Sequence, residues 1–173
     1  VHSYNNYFDG NAKYGVGVTM GASAFVENNY FRNCKDPMMS SKQGTDALGE
    51  GTFSGEPGGI IKAYNNIIVG ASSYIPYAEN NTSFDAYEVS SPSETVPSSV
   101  TALSGGSTYN NFDTDSSIMY SYTADAPEDV PSIVTAHAGR VDGGDFQWKF
   151  DNSVDDESYA VNEELKAALV AYT

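Results

Sequence analysis

The 173-residue chain is 40% hydrophobic and 13% aromatic, with 8 Lys+Arg against 23 Asp+Glu and a formal net charge of -15. Such a composition belongs to a folded chain, not a disordered one, and its acidity makes nucleic acid and anionic membranes poor partners. No apolar run is long enough to span a bilayer, and Cys34, the only cysteine, leaves no internal disulfide possible.

Three segments repeat one pattern: "HSYNNYFDG" from His2, "AFVENNYFRN" from Ala24 and "IKAYNNIIVG" from Ile61. Asn6 and Asn29 are 29 − 6 = 23 residues apart, and Asn29 and Asn66 are 66 − 29 = 37 apart. The longer step contains the Gly-rich insert "GTDALGEGTFSGEPGG". Repeats of this length indicate a solenoid, one coil per repeat. The apolar runs ("VGVTM", "AFVE", "GIIKAY", "IIV") are short, β-branched or aromatic, and bounded by Gly, Asn and Asp. They predict short strands, not helices, and hence a parallel β-helix. Asn tolerates the left-handed backbone of a sharp bend. Stacked Asn side chains can also hydrogen-bond along the stack. Phe8, Phe31 and Ile68 occupy equivalent positions and should form an apolar stack.

The repeat fades after about residue 70. Residues 71–117 are rich in Ser, Thr, Pro and Gly, but Tyr74, Tyr77, Phe84, Tyr87, Val96 and Val100 are interspersed, so a long excursion packed on the coils is expected. "YNNFD" at Tyr109–Asp113 reads either as another coil or as a turn, and "SSIMYSY" and "SIVTA" read as further strands within residues 118–173. The end is helical: Asn162 is a good N-cap, Glu163 and Glu164 suit the positive end of the helix dipole, and Leu165, Ala168, Leu169 and Tyr172 form one apolar face. The whole chain reads as one domain. Its first coil begins in mid-pattern, so the N-terminal part of the same β-helix is expected to be missing from it, with a separate chain as one place for that part.

The stretch "VHSYNNYFDGNAKYGVGVTMGASAFVENNYFRNCKDPMMSSKQGTD", with "GTFSG…GGIIKAYNN" and "VPSSVTALSGGSTYNNFDTDSSIMYSYTAD", resembles the C-terminal half of the pectate lyases of polysaccharide lyase family 1. The resemblance implies an all-β fold, a right-handed parallel β-helix fragment closed by a C-terminal α-helix. It implies an enzyme, secreted or periplasmic in a bacterium, that cleaves polygalacturonate, the pectin backbone, by β-elimination. In such enzymes Ca²⁺ polarises the substrate carboxylate, and an arginine removes the proton from the adjacent carbon. The family's calcium-binding acidic cluster lies upstream of the segment matched here, and its R-x-P-x-x-R motif lies just before that segment. Arg32 and Arg140 are the only arginines and neither stands in such a motif. No catalytic residue and no calcium ligand is therefore assigned to this chain, which alone should be inactive.

For substrate binding the resemblance implies Lys42, in "DPMMSSKQG", whose ammonium could pair with a galacturonate carboxylate or simply be solvated. Lys13 and Tyr14, in "GNAKYG", could line the same groove, with packing the other role open to Tyr14. The remaining candidates read as structural: Cys34 as a buried packing residue, His2 as a stacked histidine, and His137 as a loop residue. Asp113, Asp115, Asp125, Asp129, Asp155 and Asp156 could hold a peripheral Ca²⁺, although "DTDSS" lacks the glycine and distal glutamate of a calcium loop. Two alternatives remain open: a calcium-independent pectin lyase, and a non-catalytic β-helical polysaccharide-binding or adhesin module.

Overall fold

The computed structural model of the chain describes residues 1–48, 53–138, 146, 148, 151–156, 158 and 160–172, without the side chains of Leu48 and Asp155. Arg140 lies outside the described residues, as does the side chain of Asp155.

Eight short strands arise from the three repeats: β1 (His2–Tyr4), β2 (Tyr7–Asp9), β3 (Tyr14–Val18), β4 (Ser23–Glu27), β5 (Tyr30–Arg32), β6 (Asp36–Ser40), β7 (Ile60–Tyr64) and β8 (Ile67–Val69). The chain visits three sheets in turn. The first sheet holds β1, β4 and β7, the second β2, β5 and β8, and the third β3 and β6. Every pairing between them is parallel. A two-residue strand, β9 (Tyr87–Glu88), joins the first sheet beside β7. Parallel sheets visited in rotation are consistent with a parallel β-helix.

Each Asn-Asn pair divides two tasks between its members. The first, at Asn5, Asn28 and Asn65, takes the left-handed backbone, with φ of 52°, 49° and 48°. It turns the chain from the first sheet into the second. The second builds a ladder. Asn29 Oδ1 accepts from the Asn6 amide side chain (2.9 Å) and from the Asn6 backbone N–H (3.0 Å). Asn66 Oδ1 does the same for Asn29, at 3.0 Å each. Inside the coils, Phe8 pairs with Phe31 and Phe31 with Ile68. The two phenyl rings stack at 4.6 Å and 4°, a geometry contributing about 0.5–1.5 kcal/mol beyond area burial. Ala24, Val26, Ile61 and Ala63 face the same interior, while Phe25, Glu27 and Lys62 alternate to the outer face of the first sheet.

The excursion packs on that outer face. Phe84, Val96, Val100, Ala102 and Tyr109 close a second core over Ile60, joined by half-buried Tyr77 and Tyr87. Lys62 is fully buried beneath it. The Lys62 ammonium donates to Asp113 Oδ2 (2.5 Å) and to the Pro92 carbonyl (2.8 Å), over the Phe25 ring at 4.8 Å. Tyr109 donates to the other oxygen of Asp113 (2.7 Å). "YNNFD" is thus a turn and not a coil: Asn111 has φ 52° and leads into a 3-10 turn at Phe112–Thr114.

Helices beyond the terminal one correct the all-β expectation. They are α1 (Gly44–Leu48), α2 (Val130–His137), α3 (Asn152–Asp155) and α4 (Glu163–Ala171). "SIVTA" was expected as a strand and lies within α2. Pro131 stands in the first turn, where a missing N–H costs nothing, and Thr135 bonds back to the Pro131 carbonyl. The β-branched Ile133, Val134 and Thr135 were read as strand formers, but the proline start and packing against β2 decide the helix. "SSIMYSY" forms turns as well. Asp115 accepts from Ser117 N and Oγ and offers its carbonyl to Ile118 and Met119. Such local bonds compete with a ladder. The final helix forms as read, with Asn162 accepting from Leu165 N at 2.9 Å. Its apolar face is partly covered: Leu165 and Ala168 are half-buried and Tyr172 meets the Phe146 ring at 5.5 Å, while Leu169 is 53% exposed.

Candidate functional site

The third sheet presents the features that the sequence singled out. Val16, Val18 and Met38 face the interior cluster, so Gly17 turns outward beside Met39. A Cβ on Gly17 would lie 3.0 Å from Tyr14 Cε2 and 3.3 Å from Phe53 Cε2. The missing side chain lets both rings lie against the strand. The rings are 5.1 Å apart at 51°, and Tyr14 is 38% exposed. An aromatic pair with one exposed and one half-buried ring can offer a ring face to a ligand.

Beyond the end of β6 come the described stretches 41–48, which contains α1, and 53–55. Lys42 is half-buried and adopts φ 61°, a left-handed conformation that costs a non-glycine residue about 1–2 kcal/mol. Its ammonium donates to the Gly55 carbonyl. The two stretches are stitched together by Ser41 Oγ, which donates to the carbonyls of Ser54 (3.1 Å) and Glu56 (2.8 Å). Asp46, in α1, is buried. Its Oδ2 accepts from Lys42 N (2.6 Å) and its Oδ1 from Phe53 N (2.9 Å).

Tyr14 therefore opens β3 at one end of the two-stranded sheet, and Lys42 lies two residues beyond Ser40 at the other. Lys13 is exposed at the corner preceding β3, where its carbonyl accepts from Asp36 N at 2.9 Å. Phe53 and Asp46 escaped the sequence reading. The signal available was an aromatic residue set among Gly and Ser in a long insert, a position that packing alone seldom demands. Burial pushes the Asp36 carboxyl up, opposed by the Lys35 ammonium. Next to the second and third sheets, a cleft is lined by Asn33, Lys35, Ser72, Ser73 and Asp156.

Three of the scattered carboxylates, those of Asp113, Asp115 and Asp156, are committed elsewhere. Asp113 holds Lys62, and Asp156 accepts a bidentate pair from Arg32 (2.9 Å each) together with Asn33. The Arg32 guanidinium holds the Asp156 carboxyl below its usual range. Asp115 closes its own turn, Asp125 meets Asn5 and Asn28 through its backbone, and Asp129 starts α2. Among the described residues, no three His, Cys, Asp or Glu side chains converge to hold a metal ion.

His2 is structural in its surroundings: its ring stacks on Phe25 at 5.3 Å and its Nε2 lies 2.8 Å from Glu27 Oε1. Its Nδ1 lies 2.9 Å from the Tyr120 hydroxyl, and Tyr122 also donates to Glu27. His137 closes the last turn of α2 and is exposed, not in a loop as expected. Cys34 is fully buried, and burial pushes its thiol up.

Two pectate trisaccharide-lyases from Bacillus licheniformis are each 49% identical to this chain over 39 residues, which is 22% of this chain and 11% of the relative. No protein-family model matches the chain, and no solved structure matches it significantly. Over that short stretch the likeness points to a pectate-lyase relationship, with the chain covering only a small part of the relatives' length.

Proposed function

We propose that this chain is the C-terminal part of a pectate lyase, a right-handed parallel β-helix that cleaves polygalacturonate by calcium-dependent β-elimination. The 49% identity to lyases of that name is the observation that carries the reading. The parallel sheets, visited in rotation and locked by an asparagine ladder, agree with it.

The described residues do not fit a calcium site: no three of their His, Cys, Asp or Glu side chains converge, and the Asp113 and Asp156 carboxylates are held by Lys62 and Arg32. Calcium and the proton-abstracting arginine are accordingly assigned to another part of the complete protein, whose setting would be extracellular or periplasmic. The role left to this chain is to hold polygalacturonate along the third sheet. Lys42 and Lys13 supply point charges for sugar carboxylates, and Tyr14 supplies a ring face.

The test uses polygalacturonate and follows the ultraviolet absorbance of the unsaturated product. The complete protein should generate it with Ca²⁺ and stop with chelator, while residues 1–173 alone should generate none. Activity of the complete protein on methyl-esterified pectin that survives chelator would replace this reading with a pectin lyase. Binding of pectic polymer without product in any condition would replace it with a binding module.

A further inference from the structure

Lys42 and Phe53 are eleven residues apart in sequence (53 − 42), yet one buried carboxylate holds both. Asp46 takes the backbone N–H of each, at 2.6 and 2.9 Å. The first bond stabilises Lys42 in a backbone conformation that its side chain disfavours. The second fixes the residue whose ring meets Tyr14 above Gly17. Gln43, Thr45 and Gly44 tie the neighbouring turn to Phe84, Asp85 and Ser83, whereas Asp46 ties together Lys42 and Phe53. Phe53 lies against Tyr14 and Gly17 of the third sheet, the surface assigned above to substrate.

We infer that Tyr14 and Phe53 form a two-ring platform for the apolar face of a uronate ring, and that Asp46, which also holds the Lys42 backbone, is the residue that positions it. A pyranose ring presents axial C–H groups that lie well on aromatic faces, and its carboxylate can reach toward an ammonium. Asp46 itself faces the Lys42 and Phe53 amides, so it acts through those residues and not on the sugar. The inference rests on the reading of the third sheet as the pectate surface.

The experiment titrates trigalacturonate into the full-length protein by calorimetry, with Phe53→Ala, Phe53→Leu, Asp46→Asn and the double variant Phe53→Ala/Asp46→Asn. Phe53→Ala should weaken binding about five- to tenfold, in line with the worth of an aromatic contact. Phe53→Leu, which keeps an apolar side chain but no ring, should recover little of that loss. Asp46→Asn should weaken binding by a similar factor, and the double variant should be no more than about twofold weaker than Phe53→Ala. If Asp46→Asn does not fold, Asp46→Glu keeps a carboxylate displaced by one methylene and should show the same loss. Wild-type affinity in Phe53→Ala overturns the platform. Losses from Asp46→Asn and Phe53→Ala that multiply fully in the double variant overturn the positioning role. Absence of trigalacturonate binding by the wild type overturns the functional reading itself, and so is told apart from the other two.

Discussion

Replacing Asn29 with Ala tests the asparagine ladder at its best-formed rung. Asn29 is fully buried. Its Oδ1 accepts twice from Asn6, and its Nδ2 lies within 3.0 Å of the Ser3 carbonyl, the Glu27 carbonyl and Asn66 Oδ1. Truncation removes these bonds together and strands an N–H and two carbonyls away from water. At roughly 1 kcal/mol net per bond, with more for groups left unsatisfied, the cost is about 3 to 5 kcal/mol. That is a large share of an ordinary domain's stability.

Asn65 provides the contrast. It too belongs to a pair, but it is exposed, has φ 48°, and its side chain makes one bond of 3.3 Å to Asn28. Asn65→Gly keeps the left-handed bend without strain and should cost about 0.5 kcal/mol or less, whereas Asn65→Ala should cost about 1 kcal/mol or more. Urea unfolding followed by circular dichroism, with the slope unchanged among variants, reads these differences as shifts in midpoint. A loss below about 1 kcal/mol for Asn29→Ala, or an equal loss for Asn65→Gly, would refute the division of bend and ladder between the two asparagines.

Three further outcomes follow from the same geometry. Gly17→Ala should leave folding stability within about 1 kcal/mol, because the clashing Tyr14 and Phe53 atoms are ring edges that can swing; calorimetry should nevertheless show several-fold weaker trigalacturonate binding, and unchanged affinity would make the ring positions irrelevant. Asp113→Ala strands the fully buried Lys62 ammonium with the Pro92 carbonyl and should cost about 3 to 5 kcal/mol in urea unfolding, most of it restored by adding Lys62→Met; a small single-variant cost would show that water reaches the pair. Cys34, fully buried with its thiol pushed up by burial, should react with iodoacetamide at neutral pH only after unfolding; prompt labelling of the native chain, read by mass spectrometry, would contradict its place in the core.

The repeats were legible because a stacked coil imposes one rule at every rung. Asn5, Asn28 and Asn65 need the same bend, and Phe8, Phe31 and Ile68 fill the same layer. The periodicity of the coils therefore appears directly in the sequence. Residues 109–137 obey no such rule. Ile133, Val134 and Thr135 have strand propensity, but tertiary packing and Pro131 outweigh it. Ile118 and Met119 turn because Asp115 captures their amides locally. A window of apolar residues contains neither fact.

The site shows the same divide. Tyr14 and Lys42 stand within or just beyond the coils, so alignment of the repeats locates them. Phe53 reaches Tyr14 only through the path of the insert, which no repeat constrains. Among the described residues, Asp46 holds two amides eleven residues apart (53 − 42) and Ser41 stitches the same segment to Ser54 and Glu56. The coils are encoded by repetition, and the insert by bonds of its own. The repeats of this chain are thus expected to tolerate exchange for other coil sequences that keep the ladder. The insert should tolerate exchange only where its own internal bonds are kept.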